Sequence, residues 1–108
     1  MKNNRVQLIG YVGKDLISIP LPSGNKRIGL RIATHHLTKD KSGEKSYHTT
    51  WHDVTAWDRI AEYAENNFVK GSKIMVEGSI EYRTYLDNTG HTRYLTHIKA
   101  HSLVNLDR

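Results

Sequence analysis

Apolar and polar residues alternate along most of this chain with the two-residue period of half-buried strands, and one segment switches to a helical period. Val6, Leu8, Gly10 and Val12 alternate with Arg5, Gln7, Ile9 and Tyr11, which predicts a first strand with one apolar face. Gly10 and Gly13, in and beside it, predict a bulge or sharp bend of the kind a barrel corner requires. Pro20, Pro22, Ser23, Gly24 and Asn25 mark a turn. A second strand is predicted from about Lys26 to Thr34, with Ile28, Leu30 and Ile32 inward and Arg27, Gly29 and Arg31 outward. The run Lys39-Asp40-Lys41-Ser42-Gly43-Glu44 reads as a long hairpin tip, and a third strand carries Tyr47 through Trp57.

Asp58 is placed to cap a helix, since its carboxylate can accept from the free N–H groups of a first turn. Ile60, Ala61, Ala64 and Phe68 follow at helical spacing, and Lys70-Gly71 would close the helix as a basic last turn and a C′ glycine. A fourth strand then turns Ile74, Val76 and Ile80 inward, with a bend permitted at Gly78. Asp87-Asn88-Thr89-Gly90 is a second hairpin tip, and a fifth strand runs from Arg93 to about Leu103. The predicted class is all-β with one helix. Five strands with glycine-bent corners and a helix between strands 3 and 4 describe an OB-fold, a five-stranded Greek-key β-barrel. That architecture offers an open face and long hairpins to oligonucleotides or oligosaccharides, and the fold alone does not choose between them.

At 108 residues the chain is one domain, because halving it would leave cores too small to be stable. With 37% hydrophobic and 25% charged residues, the composition is that of a folded domain rather than a disordered one. No apolar run approaches the ~20 residues of a membrane helix. The start, Met1 to Arg5, is basic but lacks a following apolar stretch with a cleavage site, so the protein is expected to stay where it is made. Cysteine is absent, which removes disulfides and thiolate metal sites and fits a reducing compartment. The net charge of +5 favours a polyanionic partner. Lys26, Arg27, Arg31, Lys39, Lys41 and Lys45 crowd one region in which Asp40 and Glu44 alone oppose them.

The segment Thr50-Trp51-His52-Asp53-Val54-Thr55-Ala56-Trp57 carries the most chemistry. Strand periodicity places Trp51, Asp53, Thr55 and Trp57 on one face and leaves Val54 and Ala56 to the interior. Two tryptophans on the polar side of a strand suggest a platform for flat rings, and in a basic protein those rings are nucleobases. The candidate phosphate contacts are Arg31, Lys39, Lys41, Lys45, Arg59, Lys70, Arg83 and Arg93. Arg83 and Arg93 lie on the two arms of one hairpin. The histidine pairs His35-His36, His48/His52 and His97/His101 invite a metal reading. Residues four apart on a strand stand roughly 13 Å from each other, too far to share one ion, so no metal and no cofactor are expected. Neither a catalytic triad nor a carboxylate pair in a catalytic setting is present, and an enzyme is not expected.

Several ordered motifs are similar to bacterial single-stranded DNA-binding proteins, and together they cover nearly the whole chain. They are Asn4 through Asp15, Leu30-Arg31-Ile32-Ala33-Thr34 with the Lys39–Glu44 hairpin, Thr50 through Trp57 with Ile60-Ala61-Glu62, Lys70-Gly71-Ser72 with Val76-Glu77-Gly78, and Asp87 through Gly90 with Arg93-Tyr94. The resemblance implies a homotetramer of OB domains that binds single-stranded DNA in replication, recombination and repair, in the bacterial cytoplasm at the nucleoid. It implies base stacking at Trp51, Trp57 and Tyr85, and a subunit interface at His52, a side chain whose charge can change near neutrality. The chain departs from the family pattern at Leu37-Thr38, where the family commonly has a tryptophan. It departs again at Asp53 and Glu81, where the family usually places basic residues. Family members usually continue into an acidic-tipped tail that recruits other enzymes, and with the sequence ending at Arg108 that function is expected to be missing here. The departures at Leu37, Asp53 and Glu81 motivate an alternative reading, an oligomeric OB-fold protein-interaction module with weakened DNA affinity.

Overall fold

The structure, a computed structural model, describes residues 3–14 and 16–107. Asp15, the last residue of the opening motif, lies outside the described residues with Met1, Lys2 and Arg108. The order of elements is β1 (Val6–Val12), β2 (Ile17–Pro20), β3 (Lys26–Lys39), β4 (Lys45–Trp57), α1 (Asp58–Asn67), β5 (Lys73–Leu86) and β6 (Thr92–Asn105). The sheet runs β1-β5-β6-β4-β3-β2, and an extra pairing of β1 with β3 closes five of these strands into a barrel. This is the OB-type barrel that the alternation predicts. Its interior is filled by the inward phase of each strand, with Val12, Ile28, Ile32, Val54, Ala56, Ile74 and Val76 almost wholly buried. Ala61 and Ala64 of α1 and the following Phe68 complete the core from the helix side. Among the described residues, no helix is long and apolar enough to cross a membrane.

Two glycines let backbones touch where the barrel bends. Gly10 lies where β1 passes from pairing with β5 to pairing with β3, and a β carbon there would come within 2.2 Å of the Ala33 carbonyl oxygen. Gly78 sits at the register shift between β5 and β6, against the carbonyl of Lys99.

The structure corrects the predicted elements in five places. The segment read as leading to a turn contains β2, whose four residues pair with β3 from Ile17↔Gly29 to Pro20↔Lys26. It adds a sixth strand at the edge of the sheet. The second predicted strand continues past Thr34 to Lys39, because its cross-strand partner continues equally far, and the hairpin tip shrinks to Asp40–Glu44. Asp58 is not the cap. Trp57 holds that position, no side chain caps the first turn, and Asp58 enters the helix with φ 55. The strand runs into the helix with no intervening residue, so the chain must swing at Asp58, and aspartate tolerates the left-handed region better than most residues. The helix ends at Asn67 with Phe68 extended. Gly71, with φ 92, serves the next turn instead, where its N–H donates to the Val12 carbonyl at 2.7 Å. Ile80, predicted inward, is partly exposed at the open end of the barrel beside Val6 and Leu8.

Strands β4 and β6 pair in parallel, over Val54↔Ile98 and Thr55↔Lys99 alone. Each strand is also paired to an antiparallel neighbour along its full length, β4 with β3 and β6 with β5. Two hairpins therefore leave this short junction toward the same end of the barrel. One arm ends at Lys39↔Lys45 and the other at Leu86↔Thr92.

Candidate nucleic-acid interface

The β4 alternation is as predicted. Val54 and Ala56 are buried, while Trp51 is 47% exposed on the opposite face and Trp57 is half-buried there. Pairing with β3 gives each tryptophan a cationic companion. The Arg31 guanidinium lies 5.4 Å from the Trp51 ring centroid and that of Arg27 lies 5.5 Å from Trp57, within the range of cation–π attraction. The benzo edge of Trp51 rests against Gly13, where a β carbon would fall 2.0 Å from the ring. Trp51 is thus seated by backbone on one side and by an arginine on another, with nearly half its surface open. Tyr11, His35, Leu37 and Tyr47 share this outer face by register, and the Tyr11 and His35 rings meet at 6.1 Å.

Asp53 is the direct cross-strand partner of Arg31, with a carboxylate oxygen 3.4 Å from Arg31 Nε. Its negative charge is therefore locally offset, and Arg31 is shared between a carboxylate and an indole. Both groups are about half exposed, so the pair itself contributes little to stability.

On the second arm, Arg83, Tyr85, Arg93 and Leu95 share one face, with Arg83↔Leu95 and Tyr85↔Arg93 as cross-strand pairs. Tyr85 is half exposed. Arg93 is committed to the tip, where its Nε donates to Asp87 Oδ2 at 2.7 Å. The other oxygen of Asp87 accepts from the Thr89 N–H at 2.9 Å, the Thr89 hydroxyl at 2.7 Å and the His91 N–H at 3.0 Å. These donors, the Thr89 hydroxyl first and then Arg93, hold the Asp87 carboxyl down at about 2. Asp40 organises the first tip in the same way, accepting from Ser42 and Glu44, and its carboxyl is likewise lowered, chiefly by Ser42. A depressed carboxyl contributes order that is complete above its ordinary value of 3.8 and is lost as pH falls toward 2. Acidification from pH 5 to pH 2 is expected to release the Asp87 tip before the barrel unfolds. The Thr89 and His91 amide resonances would then shift in that window while core amides stay in place. An Asp87→Asn variant should show no such step.

Between the two arms lies a groove of about 220 Å³ lined by Lys14, Arg31, Asp53, Arg83, Leu95 and His97, among others. It brings together two of the eight basic residues singled out in the sequence, Arg31 and Arg83. Lys39 and Lys45 face each other at the end of the first arm with Lys41 in its tip. Arg93 lies farther out on the second arm. Arg59 and Lys70 are not in this groove. Arg59 borders a separate recess with Lys26, Asp58 and Glu62, and Lys70 sits in the turn before β5.

His52 is on the other side of β4 from Trp51. Its Nε2 is 2.9 Å from the Thr34 hydroxyl, beside an opening lined by Val6, Leu8, Ile80 and Ile98. Register also brings His36 opposite His48, with ring centroids 5.3 Å apart, a pairing that spacing along one strand could not reveal. Among the described residues, no three histidine, aspartate or glutamate side chains gather as metal ligands would. Four contributors to the grooved face were missed in the sequence, namely Arg27, Tyr11, Lys14 and His97. Arg27 and Tyr11 carried a signal, since both fall on the outward phase of their strands.

A closed five-strand barrel with two projecting hairpins and a helix between its third and fourth barrel strands is an OB-fold. The chain belongs to the Single-strand binding protein family, which its residues 3–106 match, a family of DNA-binding, non-enzymatic proteins. It is 34% identical over 96 residues to Single-stranded DNA-binding protein 1 of Chlorobaculum tepidum, covering 88% of this chain and 59% of that protein. The chain thus spans well under two thirds of that relative's length. In structure it is similar to the Plasmodium falciparum SSB solved in complex with ssDNA, with a TM-score of 0.89, 26% identity and coverage of 99% and 97% of the two chains. It is also similar to a deletion variant of the single-stranded DNA-binding protein from Thermus aquaticus, with a TM-score of 0.82, 28% identity, and coverage of 95% of this chain and 50% of that one.

Proposed function

We propose that this protein binds single-stranded DNA by stacking bases on Trp51, Trp57 and Tyr85 while basic residues of the two arms neutralise phosphates. The observation that carries the reading is the pair of indoles on one face of β4, Trp51 exposed and Trp57 half-buried, each held beside an arginine. Stacking is indifferent to sequence because every base has a π-face, and a cationic groove tracks the backbone whatever the base. Arg31 and Arg83 line the groove, Lys39, Lys41, Lys45 and Arg93 extend it along the arms, and Arg59 and Lys70 would meet a strand only beyond it. The protein acts as a homotetramer with His52 at a subunit contact, and linking four such surfaces raises affinity through effective concentration. Its place is at exposed single strands of the bacterial nucleoid during replication, recombination and repair.

Titration with a poly-dT oligonucleotide, followed by intrinsic tryptophan emission at several salt concentrations, tests this. Strong quenching is expected with the single strand and none with duplex DNA. If about five phosphates are neutralised, log affinity falls with log salt at a slope near −3.5, and Arg83→Ala makes it shallower by about 0.7. Unchanged emission at low salt and micromolar oligonucleotide would favour the protein-interaction module instead.

A further inference from the structure

At the fork of the two arms, one polar side chain is buried without a partner. His97 is 5% exposed, and among the described residues neither ring nitrogen finds a hydrogen-bond partner. It lies one residue before the short β4–β6 junction and lines both the inter-arm groove and the opening beyond it. Its cross-strand partner is Glu81, whose carboxylate oxygen comes within 3.3 Å of Nε2 without the alignment of a hydrogen bond. Even with that contact drawn into line, Nδ1 stays unpaired. A buried polar atom without a partner is costly, and in a native fold it calls for a ligand or a water to complete it.

We propose that His97, whose ring nitrogens are closed off in the free protein, turns into the groove between the arms to form a hydrogen bond to the edge of one nucleobase drawn there. This rests on the single-stranded DNA reading above. A neutral imidazole holds one donor and one acceptor. Glu81, as a carboxylate, is an acceptor and favours the proton on Nε2, which leaves Nδ1 as the acceptor. The base it completes is therefore one presenting an N–H on its pairing edge, such as thymine through N3. Arg31 of β3 and Arg83 of β5 both line the groove, with β4 and β6 between them in the sheet, and would hold the flanking phosphates. The groove of about 220 Å³ is below the roughly 300 Å³ at which small-molecule pockets begin, a size suited to a single base. His97 adds an edge contact at one position of an otherwise sequence-indifferent surface.

The test compares a labelled dT oligonucleotide with the same oligonucleotide built from N3-methylthymine, which keeps the stacking face and lacks the edge donor. Wild-type protein is expected to prefer dT by roughly fivefold, the effect of one hydrogen bond. His97→Leu should bind both oligonucleotides alike, with an unchanged salt slope, and His97→Gln, which retains an acceptor, should recover part of the preference. Thermal melting of both variants separates a binding change from a folding one. Equal binding of the two oligonucleotides by wild-type protein overturns the proposal, as does a preference that survives in His97→Leu. Failure of wild-type protein to bind either oligonucleotide would instead overturn the single-stranded DNA reading.

Discussion

Replacing Trp51 by alanine is expected to weaken binding of a dT oligonucleotide by roughly 1–3 kcal/mol per protomer surface, about a 5- to 150-fold loss. Trp51 is the best-seated of the candidate stacking residues. Its ring edge lies on Gly13 and Arg31 stands over it, so little rotamer freedom is left to lose when a base arrives. Trp57→Ala should cost a comparable amount. The two residues are six apart on one strand, about 20 Å, so their effects should add in the double variant. Anisotropy of a labelled oligonucleotide is the right readout, since the variants themselves remove the fluorescent reporters. Stability should change far less than affinity, because nearly half of Trp51 is already in solvent. A double variant that binds as tightly as wild type would remove stacking as the mechanism. A double variant that binds normally but loses its oligomeric state would show that the indoles serve subunit contacts instead.

What could be read in the sequence divides along a physical line. Elements whose burial follows a period were legible, because burial imposes the pattern directly. Val6, Leu8 and Val12, and again Val54 and Ala56, alternate because one face of each strand meets the core. That phase alone put Trp51 and Trp57 outside. Strand β2 was not legible because all four of its residues are exposed, so no core demand shapes its sequence, and Pro20 with Pro22 imitates a turn. Asp58 misled for a related reason, since a capping residue and a left-handed hinge favour the same side chain. Register was beyond reach altogether. Which residue of β3 faces Asp53, or which of β6 faces Glu81, depends on pairings between distant segments, and these decide the chemistry. The Arg31–Asp53 pair turns an acidic residue that looked repulsive into part of the indole's setting. The Glu81–His97 pair joins a residue read only as a departure from the family pattern to one weighed only as a metal ligand.

The same non-local logic predicts a large effect on stability at Gly10. Replacing it by alanine is expected to destabilise the protein by about 3 kcal/mol, the upper range for forcing atoms into a packed interior. The added carbon would fall 2.2 Å from the Ala33 carbonyl oxygen and 3.0 Å from its carbon. Both atoms are backbone, so no side chain can rotate away. Relief requires β1 to lift from β3, and their pairing at Tyr11↔Ala33 and Val12↔Ile32 is the closure of the barrel. A melting temperature lower by roughly 15 °C would correspond to that loss in a domain of this size. Gly29→Ala provides the control, since nothing lies within 4 Å of its added carbon, and it should change stability by no more than about 0.5 kcal/mol. Equal melting temperatures for the two variants would mean that β1 and β3 do not close the barrel as described. The Gly10 variant should also disturb the tryptophan spectrum, because Gly13, the seat of Trp51, leaves β1 directly after this closure, its N–H donating to the Arg31 carbonyl at 2.7 Å. Barrel closure and the stacking platform are thus coupled through three residues of backbone, and a lesion at the first should weaken DNA binding through the second.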